Sequence, residues 1–413
     1  MIISQLQQLA CERRGNVILT FALSLVPIAF LTGLAMDFTA AEQKKEQLDA
    51  AADAAALAAV TPAMMAQPDA NASTAAQNIF NARANAITGI NYDPSNLSVT
   101  VSDNGLNRTV TVSYTAASQN SFAGILNKST WSINGSSQSS SSVLPNIDFY
   151  LLLDNSPSMA IGATTADINT LVNNTPDKCG FGCHESDTSP NDYYGLAKRL
   201  GVTLRIDKLR QATQNLMTTA QQSMQANNNQ YRVAIYTFNT GFNTIASLTS
   251  TLSTAQTQAG NIDIYEVPYQ NWNNDAITNY DTAMSNINSI MPNPGGGTNS
   301  KGDKPQEVLF FVTDGVEDEM VSGKRQQSLM DPAWCTTIKN RGIRIAVLYT
   351  VYLPLPTNSW YNTYIAPFQP QIGPTLQSCA SPGLYFAVQT DQDISAAMQA
   401  LFQKAVATAR LTK

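Results

Sequence analysis

The chain reads as an α/β protein: a single N-terminal transmembrane helix and helical stalk, a small α+β unit, then a doubly wound, mainly parallel sheet. Three observations predict this. Residues 17–36, VILTFALSLVPIAFLTGLAM, contain no charged side chain. The stretch that follows, FTAAEQKKEQLDAAADAAALAAV, is built from strong helix formers. From residue 146 onward, short apolar runs alternate with helical patterns, as parallel strands joined by crossover helices require.

The uncharged run is long enough, at about 1.5 Å per residue, to cross a hydrocarbon core of about 30 Å. Pro27 inside it is expected to bend the span without breaking it. A cleaved secretory signal would have a shorter apolar core and a small-residue cleavage site, so a retained helix is expected. Arg13 and Arg14 before the run and Asp37 after it place the N-terminus in the cytoplasm, with Lys44 and Lys45 counting the other way. The expected divisions are a short cytoplasmic segment at 1–16, the span at 17–36 and a stalk at 37–65. A small α+β unit at 66–140 and a linker at 141–146 follow, and the main domain occupies 147–412.

In the small unit, LSVTVS at 97–102 and RTVTVSYTA at 108–116 alternate as strands around a DNG turn. FAGILN then reads as a helical turn and WSING as another strand. The Ser-rich GSSQSSSSVLP, 135–145, reads as a linker. In the main domain the strands are 147–153, 231–238, 307–315, 343–351 and 383–388. Helices are expected at 205–222, at 279–291 and from Asp391 onward. No internal repeat is evident.

Only 13% of the residues are charged, against about 25% in ordinary soluble domains. The net charge is -6, and no cationic cluster suited to tracking phosphates exists, which argues against nucleic acid as a partner. The single histidine, His184, leaves little room for His-dependent catalysis. Cys11 precedes the span, while Cys179, Cys183, Cys335 and Cys379 follow it. Four on one side fit two disulfides in an oxidising compartment, Cys179–Cys183 and Cys335–Cys379. A zinc site of Cys179, Cys183 and His184 is the competing reading, without an obvious fourth ligand.

The first strand of the main domain ends in LLLDNSPSM, giving Asp154, Ser156 and Ser158; a later one ends in VTDG, giving Asp314. Ligands of doubly wound sheets bind at the carboxyl ends of the strands. Two carboxylates and two hydroxyls there form a hard oxygen set suited to Mg²⁺ or Mn²⁺. A phosphohydrolase with an Asp-x-Asp pair is the catalytic alternative, but its second Asp is replaced by Ser156, which cannot do acid–base work. No catalytic set is therefore assigned. Glu317, Asp318 and Glu319 read as a solvated helix start. The aromatic stretches 265–272 and 358–368 read as loop packing.

DNSPSM and FFVTDGVED resemble the strand ends of a von Willebrand factor A domain with its metal-ion-dependent adhesion site. The resemblance implies that the hydroxyls of Ser156 and Ser158 contact the cation with Asp154, that Asp314 acts through water, and that a Thr adds a ligand. It also implies a protein partner that offers an acidic residue. Thr278 precedes the helix of the β-α-β crossover, so topology favours it over Thr298 in the GGGT turn. The N-terminal ERRGNVILTFALSLVPIAFLTGLAMDF followed by EQLDAAADAAALAAV resembles TadG-like proteins of tight-adherence (Flp) pilus assembly. That implies a single-pass protein of the bacterial inner membrane with a periplasmic or extracellular C-terminal domain. A prepilin leader would carry Glu five residues after Gly15, where Thr20 stands, so the helix is expected to stay uncleaved. A structural tether whose cation only stiffens the loops remains the third reading.

Overall fold

A computed structural model describes residues 16–186, 192–354 and 359–409. The chain divides into two compact units, 1–143 and 144–413. The segment bearing Cys11, Arg13 and Arg14 lies outside the described residues, as does part of the 358–368 stretch.

In the first unit one helix, Asn16–Ala58, runs unbroken through Pro27 for 43 residues. It is the one described helix long and apolar enough to cross a membrane. Short helix Pro62–Met65 and helix Asp69–Ala84 follow. Strands β1 (Ile90–Asp103), β2 (Asn107–Gln119) and β3 (Thr130–Ser142) then form an antiparallel meander. The segment expected as a stalk is in fact one wall of this unit's core. Leu48, Ala52, Ala55, Ala56 and Ala59 are fully buried against Phe80, Val110, Val112 and Tyr114. Small side chains at helical spacing permit that close approach. The Ser-rich stretch read as a linker is also corrected: β3 continues to Ser142, paired residue by residue with β2. Ser113 and Ser136 share a hydroxyl hydrogen bond across the strands at 2.9 Å. Period-2 pairing with a neighbour thus overrides a composition that reads as a loop.

The second unit is built on a six-stranded sheet. Its strands are β4 (Ile147–Asp154), β5 (Tyr231–Phe238), β6 (Phe242–Thr249), β7 (Gln306–Thr313), β10 (Arg344–Thr350) and β11 (Tyr385–Val388). A separate hairpin, β8 (Val316–Val321) with β9 (Lys324–Leu329), follows β7. The sheet order is β11-β10-β7-β4-β5-β6, parallel throughout except for β6, which pairs antiparallel with β5. Every residue of β4 is buried, because helices cover both faces. Ile147, Phe149, Leu151 and Leu153 point toward helices Arg205–Asn227, Leu252–Ala259 and Ile394–Thr408. Tyr150 and Leu152 point to the other face, with helices Tyr280–Ile290, Ala333–Asn340 and Gln369–Cys379. The last of the first group starts at Ile394, capped by Asp393, while Asp391 binds the backbone and hydroxyl of Thr165 instead.

Cys335 and Cys379 form a disulfide between helices Ala333–Asn340 and Gln369–Cys379, with Cα atoms 5.1 Å apart. Cys179 and Cys183 stand as free thiols, which corrects the expected short clip. The chain between them is held along residues 160–162: Phe181 pairs with Ile161, and the Gly182 N–H donates to the Ala160 carbonyl at 2.8 Å. Closing a loop of 44 residues is worth about 4 kcal/mol in the chain-entropy account. Cys335→Ser with Cys379→Ser should therefore lower the stability of the second unit by about 2–4 kcal/mol in urea unfolding. An unchanged midpoint would contradict this.

Candidate metal centre

The sheet winds in both directions from β4 and β7, so these two neighbours form its switch point. There the carboxyl ends of adjacent strands open a crevice that no crossover covers. Asp154 is the last residue of β4, and Asp314 directly follows β7. Both are fully buried. Leu153 pairs with Val312 in register, which puts Asp154 across from Thr313. The Thr313 hydroxyl accordingly donates to Asp154 Oδ2 at 2.8 Å. Gly315 must adopt φ +80° to turn the chain after Asp314, and a Cβ there would meet Ile372 at 2.3 Å. The glycine of VTDG is thus required by the turn and by packing.

The DxSxS loop folds back on its own carboxylate. Ser156 donates to Asp154 Oδ1 through its N–H at 2.9 Å and its hydroxyl at 2.6 Å. Its hydroxyl also lies 3.0 Å from that of Ser158. Among the described residues, Asp314 Oδ2 is buried without a hydrogen-bond partner. Burial raises the pKa of Asp154, and the charge of Asp314 raises it further, against the Ser156 and Thr313 hydrogen bonds. Burial likewise raises Asp314, against the Ser158 hydroxyl and the Arg205 guanidinium. The donor set, two carboxylates and two hydroxyls with one orphaned oxygen, fits a hard divalent ion.

Thr278 is buried and, with Ser158, lines a cavity of about 290 Å³ beside the strand ends. Its backbone exchanges both hydrogen bonds with Asp318, N–H to carbonyl at 2.8 and 3.0 Å. Thr298 lies elsewhere: its hydroxyl binds Asp303, and its carbonyl accepts from Asn146, which precedes β4 at the opposite edge of the sheet. The structure thus brings Asp154, Ser156, Ser158, Asp314 and Thr278 to one edge and leaves Thr298 out. The acidic run is corrected too. Glu317, Asp318 and Glu319 belong to β8, and Asp318 is bonded to Arg325 and Gln327. No group of three or more His, Cys, Asp or Glu able to hold a metal occurs among the described residues. His184 stacks on Tyr194 and faces Asp192 and Glu266, which takes it out of a zinc site with Cys179 and Cys183.

Sequence reasoning passed over three further residues. Thr313 was visible in VTDG, but its bond to Asp154 depends on strand register. Tyr280, the first residue of the helix Tyr280–Ile290 that precedes β7, hydrogen-bonds Thr313. Arg205, at the start of the helix Arg205–Asn227, is buried, and its guanidinium donates to the Val351 carbonyl at 3.3 Å. No local sequence signal marks it.

The second unit is like a von Willebrand factor A domain in fold, a doubly wound sheet with DxSxS and VTDG at the carboxyl ends of central strands, and an apolar helix precedes it in sequence. Residues 15–76 match the Tad family, described as Flp pilus-assembly TadE/G-like, which supports membrane anchoring and a pilus-related role. No curated protein matches the chain. Among solved structures it is similar to the hypothetical protein BatB from Bacteroides thetaiotaomicron, with 14% identity over 62% of this chain and 98% of that one, TM-score 0.34. It is also similar to the vWF domain of the type V pili tip protein Mfa5 from Porphyromonas gingivalis, with 8% identity over 64% and 96%, TM-score 0.38. A third is proximal thread matrix protein 1 from the mussel byssus with a zinc-occupied MIDAS motif, with 12% identity over 64% and 46%, TM-score 0.33.

The raised carboxylates set a pH dependence. An Asp whose folded pKa lies above its unfolded value, about 3.9, loses stability as pH rises from there through the folded pKa. A divalent ion offsets that loss only where the pair is ionised. Mg²⁺ at about 100 times its Kd should add about 2.7 kcal/mol. Its effect on thermal unfolding should grow from pH 5 to pH 8, and an effect that is flat across this range would contradict the assignment.

Proposed function

We propose that the second unit binds a carboxylate of a protein partner through Mg²⁺ or Mn²⁺ held by Asp154, Ser156, Ser158 and Thr278, with Asp314 behind them. The carrying observation is the buried pair of carboxylates at the switch point, with one oxygen left without a donor. When bound, the cation supplies an open coordination position for an acidic side chain. The 290 Å³ cavity that Ser158 and Thr278 line is open to solvent and wide enough for a side chain to enter.

Position 156, where an Asp-x-Asp phosphohydrolase carries its acid–base carboxylate, is a serine, which supports binding over catalysis. In this reading the chain sits in the bacterial inner membrane, N-terminus in the cytoplasm and second unit in the periplasm or outside the cell; the apolar helix and the Tad-family match support the anchoring. There it serves tight-adherence pilus assembly. Burial of Asp154, Ser156 and Asp314 favours one second reading, in which the cation only stiffens the loops.

The two readings part in one experiment. Full-length protein in its native envelope is crosslinked with and without chelator, alongside Asp154→Ala. The proposal expects crosslinked neighbours that disappear with chelator and in the variant. Equal capture in all cases, with stability alone falling on chelation, would favour the stiffening role.

A further inference from the structure

We infer that the turn at 121–127 is a second membrane contact, seated in the bilayer interface beside the transmembrane helix. The inference rests on the reading of residues 17–36 as a membrane span. Outside the long helix, Phe122 and Ile125 are the exposed large hydrophobic side chains of the first unit among the described residues, at 42% and 70% exposure. They are not scattered. Phe122 packs on Gly33, where an added Cβ would meet its ring at 2.6 and 2.7 Å. Gly33 lies three residues inside the end of the apolar run, about 4.5 Å along the helix axis. The Phe122 ring therefore sits at the depth where acyl chains meet headgroups.

The turn is held at that depth by the first charge beyond the span. Asp37 accepts from the N–H groups of Ser121, Phe122 and Ala123 at 2.8, 2.8 and 2.6 Å. Other backbone donors of the turn are bonded as well: Ile125 to Phe122, Asn127 to Gly124 and Lys128 to Ala123. Satisfied backbone groups are what allow a loop to approach hydrocarbon. Lys128 lies 4.6 Å over the ring of Trp131, a cation and an indole of the kind enriched at the bilayer–water boundary. Phe122 and Ile125 are thus continuous with the exposed apolar face of the helix, from Leu19 to Phe38. The occupant that this continuity fits is lipid.

The test is photolabelling of the full chain in phosphatidylethanolamine–phosphatidylglycerol vesicles. A phospholipid with a diazirine near the glycerol end of its acyl chain serves as the probe, and adducts are mapped by mass spectrometry. Expected are adducts within 17–36 and at Phe122 or Ile125. Adducts within 17–36 but none at 121–127 would overturn the second contact and leave the span intact. Adducts in neither place would remove the span and the inference with it. Crosslinks from 121–127 to a protein chain in place of lipid would also overturn it. Gly33→Leu, which displaces Phe122, should lose the adducts at 122–125 and keep those in the span; retained labelling at 122–125 would contradict the packing.

Discussion

Two carboxylates buried together at the switch point of the sheet are the constraint on which the second unit depends. Asp154 and Asp314 end neighbouring central strands, so the same packing that buries Leu152 and Phe311 also removes both acids from water. Ionised and unpaired, such a pair costs several kcal/mol. The surroundings answer only in part. Ser156 and Thr313 bind Asp154, the Arg205 guanidinium acts on Asp314 through its charge, and among the described residues Asp314 Oδ2 has no hydrogen-bond partner. That leaves both acids with raised pKa values, the feature on which the proposed cation site rests.

How much of this was legible depends on the physical scale of each signal. β4, β5 and β7 were readable because unbroken apolar runs such as YLLL and VLFFV have no other stable place than a sheet covered on both faces. Asp154, Ser156, Ser158 and Asp314 were readable because they abut those runs. The edge strand β6 and the hairpin β8–β9 were not, since their burial is partial and their residues are polar. Glu317 to Glu319 read as a helix start by local charge. They became a strand because they pair antiparallel with β9, Glu317 opposite Ser328 and Glu319 opposite Gln326, and the Asp318 carboxylate meets Arg325. The register that joins Thr313 to Asp154, and the fold-back that buries Arg205, are long-range contacts with no local trace.

The first unit shows the same limit from the other side. Its alanine stripe read correctly as helix, but propensity does not say what an alanine face touches. Leu48, Ala52, Ala55, Ala56 and Ala59 form one wall of a small core whose other walls are β2 and the helix Asp69–Ala84. A run of serines became a strand for a related reason: β2 offers a full ladder of partners, and alternate serines face solvent at no cost. Burial and pairing, settled at a distance, override composition in both cases.

The central question is whether a divalent cation occupies the strand ends. Crystals of the second unit soaked in Mn²⁺ and measured at an energy where manganese scatters anomalously would decide it. The expected result is one strong anomalous peak within ligating distance of the Ser156 and Ser158 hydroxyls, beside Asp154, Asp314 and Thr278. A map with no peak there, or with manganese only at surface carboxylates, would contradict it.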